Sequence, residues 1–340
     1  MALSDAAAGE HRPTEDPVLP CISARTRLLV LAPHPDDETI GTGLLIQQVR
    51  AAGGEVRIVQ ITPGDNNPWP QRWLERRMVI RRQDQHRWGL RRHAEMLQAL
   101  QHLQTPAQAL VALGWPDMGV TEHLLHWTRA AVDALTEVIV KFSPDLVAVP
   151  ALEDRHPDHA ATHVLMRLAL GADPTVMLVS YLVHGGALLP GSFEIVGSAA
   201  QRQAKRASLA AHRSQMALSG RRMRRLAERP ERYRQICREV VAAPAGQLAA
   251  LPWRPPAWLH RWLRLSVVSA TDVHSWRWPD APLQRDHHGV WHLLQDAPDL
   301  PLRFARLQLE WPTPWIFDHW GWCELQAGHG VMVDCNSALA

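Results

Sequence analysis

Pro33-His34-Pro35-Asp36-Asp37-Glu38 places one imidazole and two adjacent carboxylates within four positions, directly after the apolar run Leu28–Leu31. A second cluster, Arg155-His156-Pro157-Asp158-His159, follows the apolar run Leu146–Pro150. A catalytic zinc takes three protein ligands from His and carboxylate and keeps one position open for water. Two His/Asp clusters at two strand ends can supply that set, which points to metal-assisted hydrolysis. His34 and Asp37, three apart on a strand-to-helix turn, can bend toward one point, and His159 can supply the third ligand. Asp36, between the first two, points elsewhere and is available as general base. His156 can face the same pocket and, as imidazolium, stabilise an oxyanion or protonate a leaving amine. Asp158 is expected to hold that imidazole by a hydrogen bond and raise its pKa. A His/His/Asp set also accepts iron, cobalt or manganese. Either cluster alone reads equally well as a turn or a helix cap; the pair, each after a strand, favours the metal.

Elements that would position these residues follow from periodicity. Leu28–Leu31, Val56–Ile61, Ala109–Leu113, Leu146–Pro150 and Val176–Val183 are short, aliphatic or β-branched runs and predict buried strands. Between them, Gly43–Ala52, Arg72–Leu103, His123–Phe142 and His159–Leu170 predict helices. The alternation predicts an α/β fold, a Rossmann-like, mostly parallel sheet flanked by helices, with ligands beyond the carboxyl ends of the strands. Residues 199–241 predict helix, broken near Ser219-Gly220 and Pro230. A Pro/Ala/Gly stretch at 242–256 predicts a linker or domain edge. The rest is rich in Trp, His and Pro, and Gly289–Leu294, Leu302–Glu310 and Trp320–Gln326 predict antiparallel strands. The expected organisation is a flexible leader (1–24), a catalytic domain (25–241) and a β-rich C-terminal appendage (242–340).

Composition excludes more than it selects. The formal net charge of the 340 residues is +2, so overall charge names no partner. Locally, Arg202–Arg238 holds eleven Arg and one Lys against Glu228 and Glu231. Such a run reads first as a solvated helix face, then as a contact for phosphate, membrane surface or nucleic acid. No recognised motif accompanies it, so nucleic acid is not expected. Cys21, Cys237, Cys323 and Cys335 are scattered without a C-x-x-C pair, which predicts reduced thiols and a cytoplasmic location. No secretory signal and no apolar run of membrane-spanning length are visible. Pro252–Arg264 interleaves Trp with Arg. Such a segment is a Trp-rich hinge between domains or, as the second reading, a peripheral contact with the inner face of the membrane.

The two clusters resemble the motifs of the LmbE/PIG-L family of zinc-dependent N-acetylglucosaminyl deacetylases. P-H-P-D-D-E stands here as Pro33–Glu38, and H-P-D-H with a following A-T as His156–Thr162. The resemblance implies zinc on His34, Asp37 and His159, Asp36 as general base, and His156 as electrostatic or acid partner. Weaker matches extend it over about residues 26–216. They are Thr62-Pro63-Gly64-Asp65, Arg92-His93-Ala94-Glu95, Leu113–Asp117, and Lys205–Gln215 with His212. In relatives the Arg matching Arg92 reaches substrate and the Asp matching Asp117 binds a sugar hydroxyl, so both become substrate-binding candidates; Trp115 could stack on the sugar. His212 reads rather as a packed, hydrogen-bonded residue. Where some relatives carry a Tyr before the second motif, this chain has Asp154. Residues 66–88 form either a lid or a solvated helix with Trp anchors. The implied substrate is an N-acetylated amino-sugar conjugate, with a phosphate or lipid attachment among the options. The alternatives are a glycan- or surface-binding protein on the same fold and an amidase acting on another N-acyl group.

Overall fold

Alternate residues of Leu28–Ala32 face opposite sides of one sheet, and both sides are covered. Leu28, Val30 and Ala32 join one apolar cluster; Leu29 and Leu31 join another. This is the pattern of a strand buried on both faces. The computed structural model describes residues 21–171, 173, 175–185, 191–236, 249–294, 302–311 and 320–325. The first half alternates β1 (Arg27–Ala32), α1 (Asp37–Ala51), β2 (Glu55–Gln60), α2 (Pro68–Glu75), α3 (Arg82–His102), β3 (Leu110–Ala112), α4 (Val120–Phe142), β4 (Leu146–Pro150), α5 (Pro157–Leu170) and β5 (Met177–Tyr181). Then come β6 (Ser192–Ile195), α6 (Ala199–Ala211), α7 (Arg213–Ala227) and β7 (Glu231–Gln235). The central sheet has the order β3-β2-β1-β4-β5-β7-β6. Its first five strands are parallel, with Val30 opposite Ile58 on one side and Ala148 on the other. β7 joins antiparallel to β5, and β6 antiparallel to β7. Helices α1, α3, α6 and α7 share the core of one face; α4 and α5 share that of the other.

The C-terminal part adds β8 (Ala249–Ala250), β9 (Leu263–Val268), β10 (Val273–Arg277), β11 (Leu283–Arg285), β12 (Trp291–Leu293), β13 (Phe304–Leu309) and β14 (Gly321–Glu324). They form two antiparallel sheets, β10-β9-β13-β14 and β11-β12-β8. Because side chains alternate along a strand, the larger sheet has two distinct faces. Val268, Phe304 and Trp322 pack into the core shared with α4 and α5. Leu263, Leu265, Val267, Ala305 and Leu307 form a third core with Leu251, Trp253, Trp278 and Leu293. The extension is therefore a further layer on the α4–α5 face, tied down by a bidentate Arg167–Glu324 pair at 2.8 and 2.9 Å.

Several boundaries differ from expectation. Helix α1 begins at Asp37, not Gly43. The span expected as one helix over Arg72–Leu103 is two, because Arg76 turns left-handed (φ 52°) and ends α2. The span 199–241 breaks at His212, while Ser219-Gly220 lies inside α7; Glu231–Gln235 is a strand. Part of the expected linker packs, with β8 and a buried Trp253 that donates to Trp320 O at 3.1 Å. The leader through residue 20, residues 242–248 and Cys335 lie outside the described residues. Cys21 and Cys323 are free thiols.

Candidate active site and metal centre

The strand order reverses between β1 and β4, so the connections leaving their carboxyl ends part and open a crevice. Pro33–Asp36 leaves β1 there, and residues 151–156 leave β4. The first loop is tied from three sides. Thr62 donates its N–H (3.0 Å) and its hydroxyl (2.9 Å) to Pro33 O. Arg92 Nη2 donates to Pro35 O at 2.7 Å, and the Asp36 N–H donates to Glu38 Oε2 at 2.9 Å. Asp36 itself sits at φ 129°, a region unfavourable for a residue with a side chain. Strain of this kind persists only where neighbours over-determine it.

Three donor atoms converge beside that loop. His34 Nδ1 lies 3.2 Å from Asp37 Oδ2, His159 Nε2 lies 3.1 Å from the same oxygen, and the two ring nitrogens are 3.3 Å apart. Bonds of ~2.0–2.1 Å to a tetrahedral zinc require ligand atoms roughly 3.3 Å apart, so the triangle fits such an ion. The other nitrogen of each ring rests on carboxylate. His34 Nε2 meets Asp158 Oδ2 at 3.2 Å and Asp117 Oδ1 at 3.3 Å, and His159 Nδ1 meets Asp154 Oδ2 at 3.1 Å. Carboxylates behind ligating imidazoles fix tautomer and ring orientation. The side chains of Asp36, Asp37, Asp117, Asp154 and Asp158 are all buried here, and of the five Asp36 meets the Arg92 guanidinium. This excess of buried negative charge calls for a cation. Burial opposes a charged His159, yet Asp37 and Asp154 raise its pKa to about 10. Burial also opposes a charged His34, but hydrogen bonds to Asp117, Asp158 and Asp37 raise it well above the usual value. Asp37, pushed up by burial, is held well below the carboxylate range by His159 and His34.

Asp36 is buried beside the triangle. Burial pushes its carboxyl up to about 6, with Arg92 pulling the other way. Arg92 Nη2 contacts Asp36 Oδ2 at 3.2 Å, and its Nη1 donates to Gly64 O at 2.7 Å. In the amide orientation that satisfies both partners, Gln215 Oε1 accepts from Arg92 Nη2 at 2.6 Å. Glu38 receives the Asp36 N–H on one oxygen and faces His212 Nε2 at 3.0 Å with the other. His212 is thus packed and hydrogen-bonded, as read from sequence.

Two expectations change, and the surroundings of the other candidates are now defined. Asp158 does not hold His156: its oxygens accept from Met118 N (2.7 Å) and Val120 N (3.1 Å) and meet His34, while its own N–H donates to His156 Nδ1. The His156 pKa lies well below, not above, its usual value, through burial and then the neighbouring His34 and His159. Arg92 is buried and bonded to Gly64 O, Pro35 O and Asp36. Asp117 is engaged by the Asn66 N–H (2.6 Å) and His34, and Trp115 is a buried core residue packed on His123. In residues 66–88, Trp88 is buried in α3, whereas Trp69 and Trp73 on α2 are each 67% exposed. Sequence reasoning missed Asp154, Glu38 and His184. Glu38 stood within the first motif and Asp154 two residues before the second. His184, whose ring lies 5.0 Å from that of His159, had no neighbouring signal.

The fold and site together define a doubly wound α/β protein with a His/carboxylate centre at its switch point. Residues 29–170, from β1 through α5, match the family model described as PIG-L: GlcNAc-PI de-N-acetylase. The chain is 36% identical over 146 residues to the 1D-myo-inositol 2-acetamido-2-deoxy-alpha-D-glucopyranoside deacetylase of Mycobacterium avium (strain 104), covering 39% of this chain and 47% of that one. It is 34% identical over 161 residues to the Mycolicibacterium smegmatis protein of the same name, covering 44% and 54%. The chain thus spans about half the length of the curated relatives it matches. Among solved structures, a deacetylase triple mutant of the teicoplanin biosynthetic pathway superposes with TM-score 0.52 at 22% identity, over 63% of this chain and 99% of that one. That likeness concerns the fold.

Proposed function

We propose that this chain is a metal-dependent N-deacetylase that hydrolyses the acetamide of an N-acetylglucosamine-type conjugate. The observation that carries the reading is the triangle of His34 Nδ1, Asp37 Oδ2 and His159 Nε2, 3.1–3.3 Å on a side, with Asp36 held beside it. These three residues would hold zinc. When bound, the ion polarises the amide carbonyl as a Lewis acid and makes water more acidic. Asp36 takes a proton from the attacking water, and Arg92 holds the carboxylate on line. A base with a pKa near 6 is ionised at neutral pH and still basic enough to work. His156, its ring centroid 4.6 Å from that of His34, would meet the developing oxyanion as a neutral imidazole. The curated relatives named above support an N-acetylated amino sugar as the substrate class. A buried carboxylate held by Arg92 beside the triangle, on a strained backbone, has no use in a purely binding protein, which argues against that alternative. No described helix is long and apolar enough to cross a membrane. The test is product analysis over a panel of N-acyl glucosamine conjugates, assayed with metal-loaded protein. Acetate and the free amine are expected; release of longer acids only would move the reading to a different amidase.

A further inference from the structure

We infer that the cleft between α4 and the β10-β9-β13-β14 sheet is a second saccharide-binding site, taking a neutral sugar unit of the substrate beyond the one that is deacetylated. The placement of that unit rests on the deacetylase reading; the existence of the site does not. The face of the sheet toward α4 and α5 changes character along its length. At one end Val268, Phe304 and Trp322 fill the gap to the helices. At the other end the same face carries Arg264, Ser275, Gln308 and Glu310, and a half-open groove of about 340 Å³ lies between it and Glu122, Leu125 and His126 of α4. That volume is within the range of small-molecule sites.

The lining selects the ligand class. Two carboxylates face one guanidinium, with an amide, a hydroxyl and an imidazole between them. Donors and acceptors are both abundant, and the set carries no positive excess, so a phosphate or carboxylate ligand gains nothing there. A polyhydroxylated neutral ligand uses both kinds of group. Internal bonds already orient the lining, with Arg264 Nε donating to Glu310 Oε1 and Arg306 Nη1 to Gln308 Oε1, each at 2.5 Å, and Ser275 on Ser266 at 2.8 Å. On each element an exposed indole is the next residue in sequence after a lining residue. Trp127, 59% exposed, comes directly after His126 where the α4 backbone leaves helical geometry; Trp311, 51% exposed, comes directly after Glu310 and meets Trp262 edge-on. Flat apolar faces with polar rims are what pyranose rings pack against.

The location ties the cleft to the crevice. The Val120 N–H at the start of α4 holds Asp158, which orients His34. His126 is six residues on, about 9 Å along the helix axis. On the deacetylase reading, a conjugate long enough to pass from the crevice along this rise would engage both places, which would give the extension a function in choosing the substrate. Residues 264–310 lie outside the span matched to the family.

The test uses the intact protein and its tryptophan fluorescence, with glucose, galactose, mannose, N-acetylglucosamine, N-acetylglucosamine disaccharide and glucose 6-phosphate as probes. Gln308→Ala should weaken binding of at least one neutral probe tenfold or more, and Glu122→Gln, an exposed change on α4 that does not depend on folding of the extension, should do the same. Glucose 6-phosphate should bind no tighter than glucose. In turnover, both variants should raise KM for a multi-ring conjugate several-fold and leave acetate release from N-acetylglucosamine within twofold. Unchanged affinity for every probe in both variants would overturn the site; tighter binding of the phosphate ester would overturn the neutral-sugar assignment. If the wild type released no acetate from any conjugate, the deacetylase reading would fall while the binding measurements still decided the cleft.

Discussion

Asp154 accepts four N–H groups, from His156 N, His159 Nδ1, Val183 N and His184 N, and so fixes which nitrogen of His159 turns toward the centre. Asp154→Asn keeps the size but replaces an acceptor with a donor facing that ring. Metal affinity is expected to fall ~10–100-fold, read by competition with a chromophoric chelator; unchanged affinity would show that the tautomer is fixed otherwise. At this scale the convergence of His34, Asp37 and His159 was legible because the first two are local and the third belongs to a compact second motif. The roles of Arg92, Asp117 and Asp158 were not. Each depends on where a side chain from a distant element turns, and all three turn inward to support His34 or Asp36 rather than outward to solvent.

The break between α6 and α7 explains a late motif that carries no chemistry of its own. Lys205 donates to Ile40 O and pairs with Glu231 at 2.5 Å, Ser208 meets Thr39, His212 meets Glu38, and the Ser214 N–H donates to Glu95. Most of these contacts bear on the first turn of α1, which begins one residue after Asp36. Gly64 serves the same purpose from β2's side. It takes φ +65°, and a Cβ there would lie 1.9 Å from Arg92 Nη1. Gly64→Ala should therefore destabilise the protein by about 1–3 kcal/mol and lower kcat more than it raises KM, because Arg92 loses its place on Asp36. Wild-type kcat in that variant would mean that Arg92 does not position the base. Helix existence was readable from periodicity, but the start of α1 was not, since a Pro/Asp run reads as a turn. Nor was the break at His212, which tertiary contacts impose; Gly220, the obvious breaker, is tolerated inside α7.

The molecule as a whole is one layered stack in which the extension completes a core begun by the α/β domain. Phe304 is fully buried in the cluster that also holds α4 and α5 residues. Phe304→Ala should cost ~3–5 kcal/mol and shift a single urea transition; a separate early transition for the extension would contradict the shared core. The pH dependence of stability has one clear contributor away from the centre. Burial, then Arg167, holds the His163 imidazole down to about 3, its Nδ1 donating to Pro150 O at 2.8 Å. Below pH ~6.5 the unfolded chain binds a proton that the folded chain refuses, so this term is present above that pH and lost as pH falls toward 3, on the order of 1.4 kcal/mol per unit. His163→Gln should flatten the fall in urea midpoint between pH 7 and 5; an identical slope would remove His163 from the account. The sequence pointed to β12, β13 and β14 but not to β8, β9, β10 and β11, nor to the face the sheets cover, because short strands do not disclose their partners. The central claim concerns hydrolysis at the His34–Asp37–His159 centre, and the most direct measurement pairs metal content with acetate release for wild type and Asp36→Ala on N-acetylglucosamine conjugates. The account predicts about one metal ion bound per chain in both proteins, acetate from the wild type, and a loss in the variant on the order of 10²–10⁴-fold. Metal-loaded wild type that releases no acetate, or an Asp36→Ala protein that hydrolyses at the wild-type rate, would contradict it.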